Sequence, residues 1–306
     1  MPARRPIARP RVALPHAALL AAAALAQTAC QHDALTAPAG RPAALIGVPI
    51  PAAPGPVLAP IALPSDPIPL PAGGATVAVS TTFTDGSVDS TTPPYTAALA
   101  CGGGTASGVG VTTTSPNVGT AGGTCTYAAP GVYTVSLTVT DGAGGSTTQT
   151  PPTYVVVYDP TPGAGFVTGG GWITTPAGVY PADPAAGGRA NAGYVAKYHA
   201  GAAVPDGQTE FQFQGGRLNF HSTAYEWLVV SGGRAIYKGR GTINGAGSYG
   251  FLVTAVDGRL DGTGQDKFRI KIWDATGAVV YDNQPGAGDT SGAASPVSGG
   301  SVTIHG

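Results

Sequence analysis

Three groups of side chains in this chain are of types that do chemistry, and each has a competing structural use. Asp257, Asp261 and Asp266 stand in the stretch DGRLDGTGQD, between two strand-like runs. Three carboxylates among glycines are the oxygen donors calcium prefers, so this loop is the candidate metal site and calcium the only cofactor suggested. Their spacing fits no EF-hand, and Asp-Gly is also the commonest way to build a turn, so capping of strand ends competes with calcium. Glu210 and Glu226 are the only glutamates, and a retaining glycosidase needs two carboxylates about 5 Å apart. They alternate outward beside Phe211 and Trp227, which solvated strand faces explain without catalysis. Along Lys267 to Asp274 the solvent side would carry Lys267, Arg269, Lys271 and Trp273. A tryptophan among cations can stack on a sugar ring or receive a neighbouring cation, and its competing use is burial under a second sheet. His199, His221 and His305 are scattered and no cysteine follows Cys125, so zinc has no ligand set. No nucleophile elbow or phosphate-binding loop occurs. The expectation is a protein without catalysis.

The elements that must position these residues are strands. With 48 Gly, 29 Pro and few charges in 306 residues, helices are disfavoured and turns are frequent. The most ordered stretch is YAAPGVYTVSLTVTD, Tyr127 to Asp141, where Tyr133, Val135, Leu137 and Val139 alternate with Thr134, Ser136, Thr138 and Thr140. That period of two marks one buried and one wet face. Further strands are expected at Thr76–Ser80, Tyr95–Cys101, Gly108–Thr113, Thr124–Tyr127, Val132–Thr140 and Thr153–Tyr158. Downstream, one face each is shared by Tyr194, Ala196 and Tyr198; by Phe211 and Phe213; by Tyr225, Trp227 and Val229; by Tyr249, Phe251 and Val253; and by Phe268, Ile270 and Ile272. Trp227 is thereby assigned to the core. Asn244-Gly245 is a strong hairpin signal.

The beginning of the chain reads as an export signal. Arg4, Arg5, Arg9 and Arg11 precede an apolar Ala/Leu run from Ala17 to Ala26, too short to span a bilayer as a mature helix. Cleavage is expected after Ala26, or before Cys30, where Gln27-Thr28-Ala29-Cys30 resembles a bacterial lipobox. Removing the leader takes the net charge from −1 to −5. No Lys or Arg lies between Pro42 and Gly188, which argues against nucleic acid as a partner. Of three cysteines, acylation of Cys30 would leave Cys101 and Cys125 to pair in an oxidising compartment. Residues 30–73, rich in Ala and Pro, are expected to form a disordered tether, with docking of Ile61 to Leu70 as an edge strand the alternative.

Two family resemblances refine this reading. YAAPGVYTVSLTVTDGAGGS, Tyr127 to Ser146, resembles the C-terminal half of a PKD (polycystic kidney disease) domain, and FTDGS, Phe83 to Ser87, its first strand and turn. Where that family usually carries a Trp-Gly-Asp-Gly motif this chain has Ala-Cys-Gly-Gly-Gly, Ala100 to Gly104, and the 101–125 disulfide is expected to take over the missing tryptophan's packing. VTGGGWITTPAG, TINGAGSYGF and DKFRIKIWD resemble a post-COAP type of domain, which follows PKD-like modules in exported bacterial proteins and whose biochemical role is undefined. The resemblances imply an all-β chain: an immunoglobulin-like sandwich over 74–160, then a second antiparallel sandwich or jelly roll over 165–306.

The expected function is a binding or adhesion protein without catalysis, secreted or lipid-anchored at a bacterial cell envelope. Its PKD-like part would be a spacer, and its second domain would recognise a polysaccharide or a surface protein through Trp273, Arg269 and Lys271. The membrane would be touched only through the lipid on Cys30. A purely structural envelope protein and a carbohydrate-active enzyme using Glu210 and Glu226 are the rivals.

Overall fold

The computed structural model describes residues 54–86, 95–161, 165–200, 202 and 204–305. The leader, Cys30 and the first part of the tether lie outside the described residues. Every regular element among those described is a strand, and the chain is all-β as composition dictates.

The first lobe contains β1 (Val57–Leu58), β2 (Ile68–Pro69), β3 (Ala75–Thr84), β4 (Thr96–Ala100), β5 (Thr105–Ser115), β6 (Val118–Tyr127), β7 (Gly131–Tyr133), β8 (Ser136–Thr140), β9 (Ser146–Gln149) and β10 (Val155–Tyr158). They form three sheets, β1-β3-β6-β5, β4-β8-β9 and β2-β10-β7. Val77, Val79, Phe83, Tyr127, Leu137 and Val139 fill the space between them. Cys101 and Cys125 are bonded, with Cα atoms 5.6 Å apart. Because Cys101 follows β4 and Cys125 lies in β6, the bridge staples two different sheets across this core.

Two expectations for this lobe change. The single strand over Val132 to Thr140 is two strands: β7 pairs with β10, and β8 with β4 and β9. The chain steps between sheets at Thr134 and Val135, yet Val135, Leu137 and Val139 all stay buried. The folded part also starts earlier than residue 74. Val57 and Leu58 pair with Thr84 and Phe83, Ile61 is buried, and Ile68 and Pro69 run parallel to Val157 and Tyr158. The alternating prolines permit this because β2 is an edge strand: Leu70 donates its N–H to Tyr158 at 2.9 Å, whereas Pro67, Pro69 and Pro71 put their missing donors on the unpaired side.

The second lobe is one continuous antiparallel sheet of β11 (Phe166–Thr175), β12 (Gly188–Lys197), β13 (Asp206–Phe213), β14 (Leu218–Ser231), β15 (Arg234–Ile243), β16 (Ala246–Val256), β17 (Lys267–Trp273), β18 (Val279–Asp282), β19 (Ser295–Pro296) and β20 (Ser298–His305). Strand neighbours run from β18 down to β11 and then β20, and β19 pairs with β17. The sheet folds over itself in a sandwich-like arrangement. Tyr194 of β12 stacks on Phe268 of β17 with ring centroids 5.2 Å apart, and Phe211 of β13 meets Tyr281 of β18 at 4.8 Å. Asn244 and Gly245 both take positive φ, 52° and 76°, in the hairpin between β15 and β16 that their types foretell.

The two lobes meet over a dry patch. Val156 of β10 packs with Trp227, Val229, Ile236 and Leu252 on the outer face of the second lobe's sheet. Beside it Tyr158 stacks on Tyr198 at 5.3 Å.

Candidate functional site

Trp227 reaches that outer face because β14 is irregular. Strict alternation would put Tyr225, Trp227 and Val229 on one side. The register against β15 shifts between Tyr225 and Trp227, leaving Glu226 as the extra residue of a β-bulge. Tyr225 therefore points into the second lobe's core, while Trp227 and Val229 turn outward to the first lobe. Trp227 is buried as expected, but in the junction rather than in the sandwich core.

Cross-strand pairing then assembles the surface. Trp227 lies opposite Lys238, Lys238 opposite Leu252, and Leu252 opposite Lys271, so one row of the sheet alternates apolar and cationic side chains. In the next row Trp273 pairs with Gly250, and a Cβ at Gly250 would fall inside the indole. The ring thus packs against bare backbone, with the Nζ atoms of Lys238 and Lys271 over it, each 6.0 Å from its centroid. Trp273 and Lys238 wall two hollows at once. One, of about 460 Å³, lies against the first lobe's Pro64, Pro152 and Tyr154; the other, of about 310 Å³, is bordered by Glu226, Arg240 and Asp274.

Each cation here has a carboxylate. Lys238 Nζ is 2.8 Å from Glu226 Oε2 and Arg240 Nε 3.4 Å from Glu226 Oε1, while Lys271 Nζ donates to Asp289 Oδ1 at 2.7 Å. Asp289 also accepts the Tyr154 hydroxyl, joining the lobes through one carboxylate. Burial raises the Tyr154 phenol's pKa and the hydrogen bond to Asp289 adds to the rise, so the hydroxyl stays protonated and donates.

Of the three residues expected to form an exposed recognition strip, the structure keeps Trp273 and Lys271 on the groove and removes Arg269. The Arg269 side chain is 2% exposed. It donates to both oxygens of Asp282, at 3.0 and 2.8 Å, and to the carbonyls of Gly288 and Ala287 at 2.7 and 3.0 Å. The outward orientation is as expected; what covers it is the segment after β18, which folds back across this face.

The aspartate loop is also corrected. Among the described residues no group of three His, Cys, Asp or Glu side chains could hold a metal ion, and Asp257, Asp261 and Asp266 do not converge. Asp257 accepts from the Arg259 guanidinium at 3.1 Å and from the N–H groups of Arg259 and Ile304. The Arg259 bond is the main reason its carboxyl is held below the usual range. Asp266 accepts from Gly258 at 2.8 Å and from Val302 at 2.7 Å. Asp261 accepts from the hydroxyl and N–H of Thr263. Asp257 and Asp266, accepting backbone N–H groups, cap strand ends, and Asp261 closes the turn at Thr263.

Glu210 and Glu226 do not form a catalytic pair. Glu210 sits opposite His221 on β14, its carboxylate 3.7 Å from the ring. Glu226 is five residues beyond His221 on the same strand, about 16 Å at ~3.3 Å per residue, and is committed to Lys238 and Arg240. Tyr154, Lys238, Gly250 and Asp289 were not singled out from sequence. Only Gly250, in the strand GSYGFLV, left a signal there, since a glycine inside a strand marks a close approach.

Compared with known proteins, the chain matches no protein-family model, no curated protein and no solved structure.

Proposed function

We propose that this chain is an exported, non-catalytic recognition protein that binds carbohydrate through the groove at Trp273. The supporting observation is the indole packed against Gly250 on the wall that two hollows share, with the hydrogen-bonding Nζ atoms of Lys238 and Lys271 each 6.0 Å from its centroid. An aromatic platform with polar groups at its rim is the chemistry that holds a sugar ring, whose C–H face is apolar and whose edge is hydroxyls. In this reading the leader and Cys30 place the protein at the cell envelope, and the first lobe, which we take as PKD-like, supports the second, post-COAP-like one. The test is binding of the purified full chain to a panel of soluble glycans and insoluble polysaccharides, beside Trp273→Ala. Loss of about tenfold or more in the variant at unchanged thermal stability is the expected result. Binding unaffected by Trp273→Ala would put recognition elsewhere, and no binding at all would favour a structural role resting on the Val156–Trp227 junction.

A further inference from the structure

We infer that the ligand is an uncharged glycan chain and that both lobes build its site, so that the first lobe is a wall of the groove rather than a spacer. This rests on the carbohydrate reading just given and narrows it. Charge decides the ligand class. The two hollows are bordered by three cations, Lys238, Arg240 and Lys271, and three carboxylates, Glu226, Asp274 and Asp289. Each cation is within 3.4 Å of a carboxylate oxygen. Lys238 and Arg240 share Glu226, Lys271 has Asp289, and Asp274 brings the rim to three charges of each sign, so an added uronate or sulfate would have to compete with carboxylates already in place. Paired charges still offer lysine N–H donors and carboxylate acceptors with lone pairs to spare, which suits hydroxyl groups.

Geometry gives the chain length and the second wall. The hollows lie on either side of Trp273, and each is within the ~300–1,000 Å³ of pockets that enclose a small ligand. A single sugar would fill one side only, whereas an oligomer can cross the indole and occupy both. The larger hollow is completed by Pro64, Pro152 and Tyr154 of the first lobe. The Tyr154 hydroxyl and Lys271 meet on Asp289, so a sugar hydroxyl arriving there finds the Tyr154 oxygen as an acceptor from one lobe and the remaining Lys271 N–H donors from the other.

The experiment measures full-chain affinity for a neutral oligosaccharide series of increasing length and for uronate-containing and sulfated polysaccharides. Titrations run from low to high salt, with wild type, Trp273→Ala and Tyr154→Phe. The expected result is binding to neutral oligomers that strengthens with length up to a few units and changes less than twofold with salt. Tyr154→Phe should weaken it by about two- to tenfold, one hydrogen bond's worth. Binding confined to the anionic polymers and falling steeply with salt would overturn the neutral-ligand assignment. Neutral-glycan binding lost in Trp273→Ala but untouched by Tyr154→Phe would overturn the two-lobe site and leave carbohydrate recognition standing. A folded wild type that binds no glycan would remove both together.

Discussion

Arg269 and Asp282 form a two-pronged ion pair in the interior of the second lobe, with side chains 2% and 6% exposed. Planar guanidinium and planar carboxylate meet with both donor–acceptor distances at or below 3.0 Å, and two further guanidinium hydrogens go to the Ala287 and Gly288 carbonyls of the segment after β18. The pair therefore fixes that segment, which carries Asp289 to Tyr154 and Lys271.

Cutting the pair on one side should be costly. Arg269→Ala leaves the buried Asp282 carboxylate without its counter-charge and the Ala287 carbonyl without its guanidinium donor, and a loss of about 3–5 kcal/mol is expected in chemical denaturation. Arg269→Met combined with Asp282→Leu should recover most of that stability, because no charge is then stranded. Equal losses in the single and double variants would show that packing volume, not charge, decides.

Reduction should loosen the first lobe. The Cys101–Cys125 bridge closes a loop with a sequence separation of 24, for which about 3 kcal/mol of stabilisation is expected. Unfolding of the full chain with and without reductant, beside Cys101→Ala/Cys125→Ala, measures it. The first lobe's transition should move down while the Arg269 variants' transition does not.

Acid should weaken the seam where Asp257 sits. Its carboxyl is held low in the folded state by Arg259 and by backbone N–H groups. A depressed pKa contributes stability above the unfolded value of about 3.9, and that contribution disappears as pH falls through the folded value. Stability should therefore drop below about pH 4, and Asp257→Asn should be less stable at neutral pH but flatter on the acid side. A parallel pH profile in the variant would assign the acid loss to other groups.

In both lobes, strands whose core-facing side chains alternate were legible in the sequence, whereas β1, β9, β18 and β20 were not read as strands. Phe211, Phe213, Phe251, Val253, Phe268, Ile270 and Ile272 are all buried on the face their spacing assigns. Trp227 shows where that logic ends, since one extra residue at Glu226 reverses the facing and no residue type there signals a bulge. Arg269 shows a second limit: alternation gives the side of the sheet, but whether water or protein covers that side depends on segments distant in sequence. The folded prolines of β2 are a third, because proline excludes a central strand but not an edge. The candidate groove was half visible, Trp273 and Lys271 from their strand, Tyr154 and Asp289 not at all, because their meeting depends on how two lobes pack.

Asp257 and Asp266 have a further effect at the place they occupy. β20 pairs with β11 on one side, and on its other side the N–H groups of Val302 and Ile304 point to these two carboxylates. A strand arriving from another molecule would find those donors already engaged and would bring its carbonyl oxygens against two anions. That border is closed to self-templating, and the sheet ends there without needing a further strand to end it.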